Sequence, residues 1–436
     1  MKPHSLLPAL ALLLAACGGR SAQPPEQATG ADPALPAPRT TPIPTVDIAP
    51  ATGWAEGEAP LPAKGLRVTR FAGGLQHPRW LYVLPNGDVL VAESNAPPGK
   101  SGIRGLKGAA MGVVMKRAGA GVPSPDRIVL LRDADRDGVA EHVAPFLEGL
   151  HSPFGMALVD DTLYVANADA VVAVPYAAGQ LRIDARPRTV AALPGKGDEL
   201  NHHWTKSLLA SPDGRRLYLG VGSNSNAGEN GMAVEADRAN VLELDPATGR
   251  TRVFASGLRN PVGLAWAPGT GALWAVVNER DELGNDLVPD YLTQVREGAF
   301  YGWPYSYWGQ HVDPRVEPQD PALVARAVRP DYALGNHVAP LGLAFSQGGV
   351  WSGGRAGAVI GLHGSWNRKP QAGYKVVFVP FEGGRPAGPM LDLLTGFLDA
   401  DGNARGRPVG IAVQADGSLL VADDVGNAVW RLAPAR

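Results

Sequence analysis

His203 lies in the run Asn201-His202-His203-Trp204, ahead of an Asp213-Gly214 turn. A neutral imidazole accepts a proton near pH 7, so His203 is the candidate general base for a substrate within hydrogen-bond reach. Arg259-Asn260 sets a planar bidentate donor beside an amide, a pair suited to a carboxylate or a quinone oxygen. Arg405 and Arg407, two apart on an extended segment, share one face, and Arg368-Lys369 adds two cations in a loop flanked by Gly and Ser. Two acidic runs suggest cations. Asp133, Asp135 and Asp137 alternate before Gly138 as in a calcium loop, but no acid stands at the twelfth position, leaving either a calcium loop unlike an EF-hand or a hairpin turn. Asn278-Glu279-Arg280-Asp281-Glu282-Leu283-Gly284-Asn285-Asp286, followed by Pro289-Asp290-Tyr291, gathers hard oxygen ligands without His or Cys, which favours Ca²⁺ over Zn²⁺. The run from Phe300 to Trp308 offers either aromatic walls for a planar ligand or plain packing.

The elements that must position these groups repeat six times. His77-Pro78-Arg79-Trp80, His151-Ser152-Pro153-Phe154-Gly155, His203-Trp204-Thr205-Lys206-Ser207, Arg259-Asn260-Pro261-Val262-Gly263, His337-Val338-Ala339-Pro340-Leu341-Gly342 and Arg407-Pro408-Val409-Gly410 each precede a turn signal and a second apolar run. Runs such as Leu163-Tyr164-Val165, Leu217-Tyr218-Leu219 and Leu273-Trp274-Ala275 read as strands bounded by turn formers, and third runs follow, as at Asn240 to Leu244. Six units of several antiparallel strands predict an all-β, six-bladed β-propeller. The units start roughly 50 to 80 residues apart, more than the about 40 to 50 a four-stranded blade needs, so long loops are expected. Small residues suit the innermost strand, where blades crowd the axis. The His and Arg just upstream then converge on one mouth of the channel, and arginines there imply an anionic small ligand.

The 436 residues carry a formal net charge of -2, which gives no electrostatic bias toward nucleic acid. With 55 Gly and 40 Pro the chain has too many turn formers for a helical protein. No P-loop, nucleophile elbow or Rossmann glycine pattern is present, which disfavours ATP and nicotinamide chemistry. At the N-terminus a short apolar stretch from Leu6 ends in Leu14-Ala15-Ala16-Cys17, a secretory signal too short to span a membrane. Leu-Ala-Ala-Cys resembles the lipobox of bacterial lipoproteins, which implies a lipidated Cys17. As Cys17 is the one Cys of the chain, no internal disulfide can form. Residues 1–16 are therefore expected to be a lipoprotein signal peptide and residues 17–60, rich in Pro and Ala, a disordered tether. Residues 61–436 would form the propeller, held by a lipid anchor on the cell envelope and facing the periplasm.

These motifs resemble the soluble quinoprotein sugar dehydrogenases, the glucose/sorbosone dehydrogenase family of six-bladed propellers. The resemblance spans the chain after the tether and rests on Gly257-Leu258-Arg259-Asn260-Pro261, Tyr301-Gly302-Trp303-Pro304, the His203 segment and Arg405-Gly406-Arg407. Asn278-Glu279-Arg280-Asp281 and Gly364-Ser365-Trp366-Asn367-Arg368 resemble the sorbosone-dehydrogenase-like branch. It implies pyrroloquinoline quinone and Ca²⁺ as cofactors and a small sugar as substrate, with an electron acceptor that the motifs do not identify. By this likeness His203 takes the sugar hydroxyl proton, aided by Asp290, and Arg259 polarises the quinone. Asn260, Arg368, Arg405 and Arg407 hold the cofactor's carboxylates, and Ca²⁺ sits between the quinone and the acidic loop, with Asn285 and Asp286 as ligands. The chain departs from the pattern at Tyr291 and Pro408, where the family has acids, and at Arg368, where it has Lys. Two other readings are a calcium-dependent propeller lactonase or esterase and a non-catalytic binding propeller of the envelope.

Overall fold

The computed structural model describes residues 19–41, 45–97, 116–195 and 202–435. The apolar runs form six four-stranded antiparallel units around an axis. Blade 1 runs outward through Pro78–Val83, Val89–Glu93, Arg127–Arg132 and His142–Leu147; blade 2 follows with Met156–Val159, Thr162–Ala166, Ala170–Pro175 and Arg188–Ala192. Blade 3 has Leu209–Ala210, Leu217–Val221, Asn240–Leu244 and Thr251–Ser256, and blade 4 has Asn260–Trp266, Leu273–Asn278, Pro289–Gln294 and Tyr332–Asn336. Blade 5 comprises Pro340–Ser346, Gly357–Leu362, Lys375–Glu382 and Leu391–Thr395. In blade 6, Pro408–Val413, Leu419–Asp423 and Ala428–Pro434 take their outermost strand, Leu66–Ala72, from the start of the propeller, so the two ends of the chain close the ring. The expected six-bladed propeller is the fold. Second strands such as Val89–Glu93 and Leu419–Asp423 are buried at every position because a blade covers each face, which is why they read as continuous rather than alternating apolar runs.

The Pro-x-Gly repeat has a packing cause. A Cβ on Gly155 would meet Leu208 of blade 3, one on Gly263 would meet Leu341 and Leu343 of blade 5, one on Gly342 the Val409 carbonyl of blade 6, and one on Gly410 the Arg79 carbonyl of blade 1. The nearest contacts would be 2.2 to 2.8 Å, closer than any side chain tolerates. Each glycine lets an innermost strand touch the backbone of the next blade.

The structure differs from the expected free tether. The described part of residues 19–60 is a strap laid on blades 4, 5 and 6. Thr29–Gly30 adds an outer strand beside Tyr332–Asn336, and just past the strap Leu61–Pro62 does so beside Leu391–Thr395, covering two exposed sheet edges. Trp54 packs edge-on against Phe397 and Trp430, and Ala49 is fully buried. The segment has too few apolar residues for a core of its own, but those it has complete the propeller's.

Candidate functional site

In every blade the innermost strand starts, and the second strand ends, at the same mouth of the channel, as the pairs Pro78 with Glu93, Asn260 with Asn278 and Pro408 with Asp423 show. His203, on the approach to blade 3, donates its Nδ1–H to the Ser223 carbonyl at 2.8 Å, which leaves the Nε2 lone pair available. Burial, with His202 and Arg259 nearby, lowers its pKa well below the ordinary value, so the ring is neutral at pH 7. Fully buried Lys206 donates to the carbonyls of Trp204 at 3.0 Å and His203 at 3.3 Å, fixing this segment from below. Gly222 makes room for the site: a Cβ there would lie 2.3 Å from Asn260 Oδ1 and 2.5 Å from His203 Cβ.

On the opposite side Asp424, just past the second strand of blade 6, pairs with Arg79, accepts from His363 at 2.9 Å and lies 3.8 Å from His77. Burial alone would raise its pKa, but His363 and Arg79 hold it far below the usual carboxylate range. Burial brings His363 down to about 4 despite Asp424, so it too is neutral at pH 7. The Arg79 guanidinium also lies 5.7 Å from the Trp204 ring. Arg407 is buried 5.1 Å over the Tyr374 ring, and among the described residues no carboxylate pairs with its side chain.

A third group orders the blade 4 loop. Asp281 accepts from Arg259 at 3.1 Å and from Asn367 at 2.7 Å, and lies 3.5 Å from His337. Burial opposes ionisation, yet Arg259 and His337 lower its pKa to about 2.

Of the site residues inferred from sequence, the structure brings His203, Asn260 and Arg407 to the mouth and gives others different work. Arg259 is there, but all its donors are engaged by Asn226, Asn278, Glu279 and Asp281, so it anchors the loop instead of presenting a cation to a ligand. Asp290 does not support His203: its oxygens accept the Glu279 N–H at 2.7 Å and the Ala339 N–H at 2.8 Å, joining blades 4 and 5. Arg368 donates to Asn285, Pro370 and Ser21, and Arg405 pairs with Glu58 at 3.3 Å, so both hold the strap rather than a cofactor. Asn285 is likewise engaged by Gly19 and Lys369, and Asp286 by Ser21 and Ala22. Their oxygens are committed to protein donors, so this loop does not fit the expected Ca²⁺ beside a quinone. Asp133, Asp135 and Asp137 do gather, with Glu141, so that their ligand atoms lie within 4.8 Å. They sit on an exposed hairpin between the third and fourth strands of blade 1, at the end of the blade away from the mouth, and their backbone bonds make a turn. The aromatic run is packing: Tyr301, Trp303, Tyr307 and Trp308 are buried. Cys17 and the signal peptide lie outside the described residues.

Sequence reading missed Arg79, His363, Asp424 and Asp281 as site residues. Aligning the ends of the second strands, as the starts of the first were aligned, would have found His363 and Asp424.

Buried polar atoms without a protein partner crowd this mouth: Arg79 Nε, Ser94 Oγ, Ser152 Oγ, Asn167 Oδ1, Asn224 Oδ1, Asn260 Oδ1, Asn367 Oδ1, Arg407 Nε and Asp424 Oδ1. All six blades are represented across these residues and the loops between them. Each such atom costs about 1–3 kcal/mol unless something bonds it. The donors in this set, Arg79 Nε, Arg407 Nε, Ser94 Oγ and Ser152 Oγ, suit carboxylate or carbonyl oxygens of a small molecule, and the amide and carboxylate oxygens suit its hydroxyl or N–H groups; Arg407, which no carboxylate pairs among the described residues, is the cation for such a ligand. An axial metal of the hydrolase type does not fit, because Asp281 and Asp424 each already carry an arginine.

A family model described as TrAA12-like matches residues 142–435. A pyrroloquinoline quinone-dependent pyranose dehydrogenase from Coprinopsis cinerea is 25% identical over 429 residues, covering 84% of this chain and 54% of that protein. The chain thus spans about half the length of this relative. An uncharacterized protein from Borreliella burgdorferi is 26% identical over 294 residues, covering 65% of this chain and 76% of that one. Among solved structures, the holo form of the pyranose dehydrogenase PQQ domain from Coprinopsis cinerea has a TM-score of 0.69 at 22% identity, covering 88% of this chain and 100% of that one.

Proposed function

The chain belongs to the TrAA12-like family, and from that membership we propose that it is a quinoprotein oxidoreductase that oxidises a sugar at the axial mouth with pyrroloquinoline quinone. The observation that carries this reading is the set of unpartnered buried polar atoms around Arg79 and Arg407, facing a neutral imidazole, at the mouth where the six blades converge. The pyranose dehydrogenase relative supports the cofactor and the substrate class. When bound, the cofactor supplies a quinone that accepts hydride from the carbinol carbon. The protein's own residues do the rest. Arg407 binds a carboxylate group, Arg79, already paired with Asp424, adds only its free Nε–H, and Asn260 contributes its amide. His203 Nε2 takes the hydroxyl proton, and the Ser223 carbonyl holds the ring in the tautomer that permits it. Arg259 and Asp281 keep the blade 4 loop in place.

Reconstitution of purified protein with pyrroloquinoline quinone, followed by dye reduction across pyranoses, sorbosone-like hydroxyaldehydes and polyols, tests the reading. Turnover of at least one sugar is expected, and His203→Ala should keep the cofactor but lose about 10²- to 10⁴-fold in rate. Failure to bind the quinone at micromolar concentration overturns the assignment. We also propose that Cys17 is lipidated and anchors the protein to the cell envelope; among the described residues no helix is long and apolar enough to cross a membrane. Cys17→Ser should move the protein from the membrane to the soluble fraction and abolish palmitate labelling, and an unchanged distribution refutes the anchor.

A further inference from the structure

Residues 19–41 of the strap, which lie outside the family match, do more than cover blade edges. Between them and the loop from Glu282 to Leu287 lies a cavity of about 550 Å³, inside the roughly 300–1,000 Å³ of small-ligand sites. Its polar lining is not closed on itself. Asn367 Oδ1 is buried without a partner. The exposed side chains of Arg20, Gln27 and Arg39 and half-buried Trp366 also line the space, and among the described residues no protein group bonds the Trp366 indole N–H.

The chemistry of this lining selects its ligand. The lining carries two arginines, Arg20 and Arg39, and two carboxylates, Glu282 and Asp286, so its formal charges balance and the cavity does not favour a strongly charged molecule. An indole beside amide and guanidinium groups suits a ligand with apolar C–H faces and many hydroxyls, which is a sugar ring. The cavity also adjoins the mouth: Asn367, in its wall, donates to Asp281, which pairs with Arg259, the neighbour of Asn260. Building on the sugar-oxidising role above, we propose that this cavity is a carbohydrate subsite for the non-reacting end of a saccharide longer than one ring, with Trp366 as its stacking wall.

The test is calorimetric binding of glucose, cellobiose and cellotriose to the full chain without added quinone. Cellobiose or cellotriose should bind at least about 10-fold tighter than glucose, and both Trp366→Ala and Gln27→Ala should remove most of that difference. Gln27 lies on the exposed strap, so its variant tests the subsite even where Trp366→Ala does not fold. Equal binding of the three sugars, no binding of any of them, or a length preference that survives in Gln27→Ala overturns the subsite. Because binding is read without the quinone, saccharide binding by a protein that never reduces dye would overturn the redox reading and leave the subsite standing. Dye reduction without a length preference would do the reverse.

Discussion

In the role of base proposed for it, His203 depends on its neighbours. Its ring is kept neutral by burial, His202 and Arg259, and its tautomer is chosen by the Ser223 carbonyl. The sign of the pH dependence follows: the working form is the unprotonated one, so kcat/KM should climb with pH through a limb centred below about 6.5 and stay flat across pH 7. A limb centred at or above that value would remove His203 from the role. Asp290 contributes to stability in the opposite sense from an ordinary carboxylate. Burial pushes its pKa up to about 7 against two backbone N–H bonds, while in the unfolded chain it titrates near about 3.9. Between those values the folded protein holds a proton that the unfolded chain releases, so stability present at low pH is lost as pH rises to 7. Asp290→Asn should cost about 1–3 kcal/mol yet flatten the decline in urea unfolding free energy from pH 4 to 8; parallel curves for variant and wild type would refute this. The place of His203 and Arg407 at the mouth was legible because each opens a unit of the repeat, and the repeat sets where a strand starts. That of Arg79 was not, since it occupies the middle place of its repeat, and only the fold aims it at Asp424.

At the scale of the element, the strands were readable almost throughout, because burial on both faces demands unbroken apolar runs and the turns between them demand Gly, Asn and Asp. The repeat's glycines carry a sharper consequence. Gly342→Ala would drive a methyl to 2.2 Å from the Val409 carbonyl on a strand that cannot retreat without opening blade 6. A loss of at least about 2 kcal/mol is expected from such overpacking, visible as a lower apparent Tm by differential scanning calorimetry. An unchanged Tm would mean that the blades do not meet as closely as the repeat implies. The loops were less readable. The acidic run in blade 4 has the composition of a cation site, but Asn285 and Asp286 are used by a segment more than 260 residues away in sequence, and nothing local in the sequence signals such a partner.

The whole molecule is held by its N-terminal part twice over. Leu66–Ala72 closes blade 6, and the strap then locks the closed ring, with the Trp54 indole donating to Asp423 at 2.7 Å and resting on Phe397 and Trp430. Trp54→Ala removes that contact and leaves buried Asp423 one donor short, so it should cost about 3 kcal/mol in urea unfolding; wild-type stability would show that the strap is not docked in solution. By itself the sequence determined the propeller, its blade count and the mouth of the channel on which the His and Arg of the repeat converge, because periodicity, turn residues and close-approach glycines are local properties. Which arginines face a ligand, which carboxylates remain free and whether a Pro-rich segment docks were decided by the tertiary structure alone. Those outcomes depend on which distant groups reach a side chain first, and an arginine or carboxylate already satisfied by one partner has little left to offer another.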